Sequence, residues 1–287
     1  MSRSEPGGDP LFDPPPNPPP FRGRERTERV ATAMTSLETR DLTIRFGGHV
    51  AVDAVSCVFR PGELTAIVGP NGAGKTTYFN LISGQLTATA GAVLLDGRDI
   101  TRMSAPARTR AGIGRAFQLT NLFPGLSVME NVRLAIQSAA GVHYDMLRPW
   151  MRHTELIARA DAVLERVALA HRRNVPASAL PHGDQRKLEV ALMIALEPAI
   201  FMFDEPTAGM SVDEVPVVLD LIAALKQDTS KIILLVEHKM DVVRSLADRI
   251  IVLHNGQLVA DGKPAEVIAS PIVQEAYLGI APGKSAA

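Results

Sequence analysis

The stretch that most restricts the fold is "ELTAIVGPNGAGKTTYFNLISG", residues 63–84. It opens with a continuous apolar run, the pattern of a strand buried on both faces. It closes with a helical pattern. Between the two, Gly69, Gly74, Lys75 and Thr76 stand at the spacing G-x4-G-K-T. Glycines let a backbone wrap around an anion with successive N–H groups turned inward. The helix that begins near Lys75 adds its positive end at the same place. Lys75 supplies a cation for β and γ phosphates, and Thr76 a hydroxyl for Mg2+. Strand, loop and helix in this order read as a phosphate loop built from Gly69, Pro70, Asn71, Gly72, Ala73, Gly74, Lys75, Thr76 and Thr77. A glycine-rich turn carrying an incidental lysine would not need that context.

The rest of the chain repeats the alternation. A helix at 185–196 is followed by the strand "AIFMF", the helix "EVPVVLDLIAALKQ" and the strand "KIILLVE". The helix "MDVVRSLA" and the strand "RIIVLHNG" come next. Such alternation predicts a largely parallel sheet with right-handed crossovers, an α/β fold. Ahead of the phosphate loop, "LETRDLTIRF" and "VAVDAVSCVF" alternate as half-buried strands, and "GAVLLDG" with "RDI" reads as a strand and turn. Residues 127–175 change character: Leu156, Ile157, Ala160, Val163, Leu164 and Val167 fall at helical spacing, which predicts a mainly helical insert.

Residues 1–34 stand apart. "DPPPNPPPFRGRERTER" is proline-rich and then charged, with too few apolar side chains to offset the entropy of ordering, so a disordered tail is expected. Met34 opens a plausible domain start in "MTSLETRDLTIRFGG", which makes it a candidate alternative first residue.

Composition removes several function classes. A net charge of −1 over 287 residues gives no broad attraction to nucleic acid or anionic lipid. The single cysteine, Cys57, excludes an internal disulfide framework and reads as a small core residue. No apolar run approaches the roughly 20 residues that span a bilayer, and "MSRSEPGGDP" lacks the apolar centre of a signal peptide. A cytoplasmic chain is expected, with any membrane attachment made through a partner.

A second constellation lies in "IFMFDEPTAG". Asp204 and Glu205 end an apolar strand, where open α/β sheets place their ligands. Asp204 suits a Mg2+ shell, and Glu205 suits polarising the water that attacks a γ-phosphate. Two carboxylates beside a triphosphate repel it, so the pair makes sense only with the metal.

With these motifs in order, the chain resembles the ATP-binding subunit of ABC transporters over roughly residues 37–280. The resemblance implies a P-loop NTPase of the ABC type: a mainly parallel sheet core, an antiparallel β subdomain and a helical subdomain at about 119–190, within an ATP-binding domain at 35–287. It implies ATP and Mg2+ as ligands, with Thr76, Gln118 and Asp204 toward the metal. It assigns Phe46 in "IRFGGHVAV" to stacking on adenine. Gln118, in "GRAFQLTNLFPGLSVMENV", is placed at metal and water, linked to the helical subdomain. His238, in "LLVEHKMDVV", is placed at the γ-phosphate. Glu205, His238 and Gln118 are thus the catalytic candidates. His49, His143, His153 and His171 receive no role.

Finer features resemble one branch. "RAFQ...LFPGLSVMENV" and the ending "GKPAEVIASPIVQEAYLG" are similar to importers of branched-chain amino acids and related compounds, with urea or amide importers as near relatives. That branch implies a second ATPase subunit, two membrane permease subunits, a periplasmic binding protein, no nucleic acid, and a place at the cytoplasmic face of the membrane. A soluble ABC ATPase without a transporter, an exporter ATPase and a regulator that barely hydrolyses are the competing classes. The single ATPase unit weighs against the first, and the intact Lys75, Glu205 and His238 against the last.

The family signature L-S-G-G-Q aligns with Leu180, Pro181, His182, Gly183 and Asp184. In the family its hydroxyl and N–H groups reach the γ-phosphate held by the partner. Pro181 has neither. Asp184 is expected to place an unfavourable carboxylate near the triphosphate, although it is locally suited to a helix start. This departure suggests an asymmetric heterodimer, in which the site completed by this signature is the weaker one. After the carboxylates, "AGMSVDE" places Met210 and Ser211 where the family often has Leu-Asp, leaving Ser211 to replace a cross-dimer hydrogen bond.

Overall fold

The computed structural model describes residues 35–116, 122–141, 154–271 and 273–274. The proline-rich segment, Gln118, His143 and His153 lie outside the described residues.

The first sheet is antiparallel throughout, in the order β2-β1-β4-β5. Its strands are β1 (Leu37–Phe46), β2 (His49–Phe59), β4 (Ala90–Leu95) and β5 (Arg98–Asp99). The two alternating segments of the sequence pair with each other, Leu37 opposite Phe59 and Phe46 opposite His49. Gly47, with φ 58°, turns the hairpin in a conformation that L side chains disfavour.

The second sheet has the order β10-β9-β3-β8-β7-β6. It comprises β3 (Leu64–Val68), β6 (Ile113–Ala116), β7 (Ile200–Asp204), β8 (Ile232–Val236), β9 (Arg249–His254) and β10 (Gln257–Gly262). β9, β3, β8, β7 and β6 run parallel, and β10 returns antiparallel on β9. The parallel core and the antiparallel subdomain are as expected.

Strands β3, β7 and β8 are buried along their whole length because both faces are covered. Phe201, Phe203, Ile233 and Leu235 face one core. Ile200, Met202, Ile232, Leu234 and Val236 face the other, shared with the antiparallel sheet. One residue of register slip would exchange these two sets, so the alternation fixes the register.

The helical insert between β6 and β7 contains α3 (Val128–Ala139), α4 (Thr154–Arg166) and α5 (His182–Leu196). These helices pack on one another, and Ala160 and Leu164 of the expected stripe are buried. Ser127 opens α3 in a capping box with Glu130. Behind it, buried Asn131 accepts from Phe123 N (2.8 Å) and donates to the carbonyls of Phe123, Leu126 and Ser127, fixing the approach to the helix. α5 begins at His182, three residues before the sequence pattern shows it. Pro181, His182, Gly183 and Asp184 carry no helical periodicity, but proline at the N-cap leaves the next N–H groups to begin the helix.

The remaining helices are α1 (Lys75–Ser83), α2 (Ala105–Arg110), α6 (Val215–Lys226), α7 (Met240–Leu246) and α8 (Pro264–Ala269). Arg108 of α2 is fully buried. It donates to the carbonyls of Leu81 and Ile82 (both 2.7 Å), Thr101 (2.7 Å) and Met103 (3.2 Å). The last carbonyls of α1 are thereby satisfied, a need every helix end has. Among the described residues no helix is long and apolar enough to cross a membrane.

Candidate functional site

Strand order assembles the site. β3, β8, β7 and β6 are parallel neighbours, so their C-terminal ends lie side by side. The phosphate loop follows β3, Glu237 and His238 follow β8, and Glu205 follows β7. The segment bearing Gln118 follows β6, and Gln118 itself lies outside the described residues. The ladder continues past the strand ends: Glu205 N donates to Val236 O (2.9 Å), and Glu237 N to Ile67 O (3.4 Å).

The phosphate loop is braced by its neighbours. A Cβ at Gly69 would drive into the carbonyl of Leu253 at the end of β9, and one at Gly74 into the carbonyl of Ala51 in β2. Gly74 also has φ 95°, so glycine is required twice over. Gly256 N donates to Ala73 O (3.0 Å), fastening the loop to the β9–β10 turn. The first turn of α1 has no side-chain cap, so its N–H groups remain available to an anion. Asn71, Gly72 and Thr76 are exposed. Lys75 is buried and donates through Nζ to the carbonyls of Gly69 (2.7 Å) and Pro70 (3.0 Å). Burial lowers its pKa, and the carboxylates of Glu205 and Asp204 pull the other way. Lysine and carboxylates thus share one electrostatic site.

Asp204 ends β7 with its side chain buried against Arg115 of β6, Oδ2 accepting from Nη2 at 2.9 Å. Burial raises its pKa, and Arg115 opposes that rise. Glu205, next in the chain, has φ 49°. That left-handed backbone costs a non-glycine residue about 1–3 kcal/mol, the kind of strain concentrated at functional sites. It turns the Glu205 side chain out, about two-fifths exposed, with Oε1 3.7 Å from His238 Nδ1. Among the described residues no group of His, Cys, Asp and Glu converges as a metal cage. The donors at hand are the Thr76 hydroxyl and the Asp204 carboxylate, the sparse oxygen set that suits Mg2+ when substrate phosphates complete the shell.

Glu237 is fully buried and accepts from Thr207 Oγ1 (2.8 Å), His238 N (3.1 Å) and Lys239 N (3.3 Å). Phe46 sits at the tip of the β1–β2 hairpin, its ring half exposed. Since β2 also supplies the Ala51 carbonyl beside Gly74, the hairpin places a free aromatic face near the phosphate loop.

The signature residues gather around the segment after β7. The His182 ring lies over Gly209, where an added Cβ would stand 3.1 Å from Cε1. A Cβ on Gly183 would strike the Glu214 carboxylate. Glu214 Oε2 in turn accepts from Ser211 N (3.1 Å) and Oγ (2.9 Å). Within this chain, then, Ser211 is already engaged. Asp184 departs from expectation. Its carboxylate is buried between Arg172 (2.8 Å) and Lys187 (2.9 Å), which neutralise it locally. It therefore presents no unpaired negative charge to a triphosphate.

Arg115, Glu237 and Glu214 were not singled out in the sequence. Glu237 could have been: a carboxylate directly before His238, at the end of an apolar strand, demands partners once buried. Arg115 in "GIGRAF" carried a weaker signal, one charge in a short run of small residues. Glu214 reads as an ordinary residue of a helix start.

Comparison with known proteins gives consistent matches. The family described as ABC transporter matches residues 52–208, and that described as branched-chain amino acid ATP-binding cassette transporter matches residues 257–281. The high-affinity branched-chain amino acid transport ATP-binding protein LivG of Salmonella typhimurium is 39% identical over 248 residues, covering 85% of this chain and 97% of its own. The corresponding protein BraF of Pseudomonas aeruginosa is 37% identical over 248 residues, with the same coverage of 85% and 97%. Among solved structures, the ADP conformation of MJ1267, an ATP-binding cassette of an ABC transporter, superposes with a TM-score of 0.73 at 29% identity. The match covers 86% of this chain and 100% of that one.

Proposed function

This chain belongs to the ABC transporter family of ATP-binding proteins, and on that footing we propose that it binds and hydrolyses ATP to drive an importer of branched-chain amino acids or related small polar solutes. The observation that carries the reading is the meeting of Lys75, Asp204, Glu205 and His238 at the ends of three neighbouring parallel strands.

Residue roles follow from the chemistry. Loop residues 69–77 cradle the phosphates through backbone N–H groups and Lys75. The Phe46 ring stacks on adenine. Thr76, Asp204 and Gln118 would hold Mg2+, which would neutralise charge on the β and γ phosphates. Glu205 takes a proton from the attacking water, and His238 contacts the γ-phosphate.

Leu180, Pro181, His182, Gly183 and Asp184 face the nucleotide of a second ATPase subunit in a head-to-tail dimer. Two permease subunits receive the motion through the helical segment at about 119–190, and a binding protein delivers solute on the far side. The subunit works at the cytoplasmic face of the membrane, held there by its permeases. Cargo never touches it, so cargo follows the relatives alone.

The test is uptake of labelled leucine, isoleucine, valine and urea by cells whose own copy carries Lys75→Ala. Loss of uptake of one of these solutes, with ATP hydrolysis by the purified complex also lost, is expected. Hydrolysis lost with uptake of all four intact would remove the importer role and favour a non-transport ATPase.

A further inference from the structure

Arg115 is the most heavily engaged side chain near the carboxylates, and none of the roles above uses it. Its guanidinium is buried, 7% exposed, beside an Asp204 side chain that is 6% exposed. Nη2 donates to Asp204 Oδ2 at 2.9 Å. Nη1 donates to Asn80 Oδ1 (2.5 Å) and Ser83 Oγ (2.7 Å), both on α1. The guanidinium carbon lies 5.1 Å from the centre of the Phe79 ring, also on α1. One planar cation thus joins the phosphate-loop helix, the acidic strand end and β6, three residues ahead of Gln118.

A buried carboxylate that must also serve a metal faces two difficulties. It has to stay charged away from water, and it has to present the right oxygen. An arginine fork with fixed donors meets both, because it holds one oxygen in a set direction and thereby orients the other. Asn80, Ser83 and Phe79 keep the fork from following the carboxylate if it swings. Lysine, a point charge on a flexible stem, cannot reach all of these groups at once.

We infer that Arg115 is a positioning residue for Mg2+: anchored on α1 by Asn80, Ser83 and Phe79, it aims the Asp204 carboxylate at the metal that accompanies ATP. The inference rests on the reading of Asp204 as a metal-holding group. A structural strut between β6 and α1 would predict the same contacts but no selective effect on the metal.

The experiment is equilibrium binding of a fluorescent ATP analogue to the intact chain, titrated with Mg2+ and repeated in EDTA, for the wild type and Arg115→Met. Expected is a roughly tenfold rise in the Mg2+ concentration for half-maximal enhancement of binding, with affinity in EDTA unchanged within about twofold. An unchanged Mg2+ requirement overturns the inference, as does a lowered one, which would make Arg115 a competitor of the metal. Equal weakening with and without Mg2+ also overturns it, as a purely structural role. If Arg115→Met does not fold, Arg115→Lys is read by the same criteria. A wild-type chain whose ATP binding ignores Mg2+ would remove the underlying reading of Asp204 instead.

Discussion

Thr207 donates its hydroxyl hydrogen to Glu237 Oε1 across 2.8 Å, and both residues are wholly enclosed. The loops after β7 and β8 are thereby pinned to each other, two residues beyond Glu205 and one before His238. The spacing between the two proposed catalytic side chains depends on a pair that touches neither reactant. Replacing Glu237 by alanine strands the Thr207 hydroxyl and the N–H groups of His238 and Lys239. We expect a loss of about 1–3 kcal/mol in urea unfolding, the cost of buried groups left unpaired, together with slower hydrolysis. Thr207→Val removes only the hydroxyl and should cost less on both counts.

Glu205→Gln keeps the shape and removes the basic oxygen. Nucleotide affinity should stay within a few-fold of the wild type while turnover falls by about 10²–10⁴, the usual contribution of a positioned base. Phosphate release by the purified complex measures it, and near-normal release would take Glu205 out of that role.

Gly183 and Glu214 offer a paired test of the signature. A Cβ on Gly183 meets the Glu214 carboxylate, the far end of a flexible side chain that can swing away, so Gly183→Ala should cost only the bonds from Ser211, about 0.5–1.5 kcal/mol. Glu214→Ala removes the same bonds, so adding it to Gly183→Ala should cost little more. Additive effects of the two changes in thermal unfolding would show that the contact is not shared.

The divergent signature separates into two unequal changes. Asp184 is held by Arg172 and Lys187, so Asp184→Gln should lower stability by about 1–3 kcal/mol by leaving the cations without their acid, and should not speed hydrolysis. Pro181→Ser returns a hydroxyl and an N–H where the partner's γ-phosphate is proposed to lie. Turnover at the weaker site should rise in single-site assays of the complex. Two equally fast sites in the unaltered complex would end the case for asymmetry.

The phosphate loop, the Asp204–Glu205 pair and the parallel core were legible because each rests on local pattern: glycine spacing, an apolar run, alternation of strand and helix. The start of α5 was not, since His182–Asp184 form helix among tertiary neighbours, Gly209, Glu214 and Arg172. The same blindness hid the setting of Asp184: its charge was visible in the sequence, but one of its counter-charges, Arg172, lies 12 residues before it and is brought to it by folding. Arg115 was hard to read for a related reason. Its partners Asn80, Ser83 and Asp204 are joined to it only by folding, and a lone charge among the small residues of "GIGRAF" names none of them.

Arg108 grips the carbonyls of Leu81 and Ile82 at the far end of α1, while the near end, at Gly74 and Lys75, is left to its ligand. Through Arg108 that far end is bolted to α2 and to the carbonyls of Thr101 and Met103. The helix that carries the phosphate loop is therefore one braced unit with α2, anchored away from the tip that meets the anion.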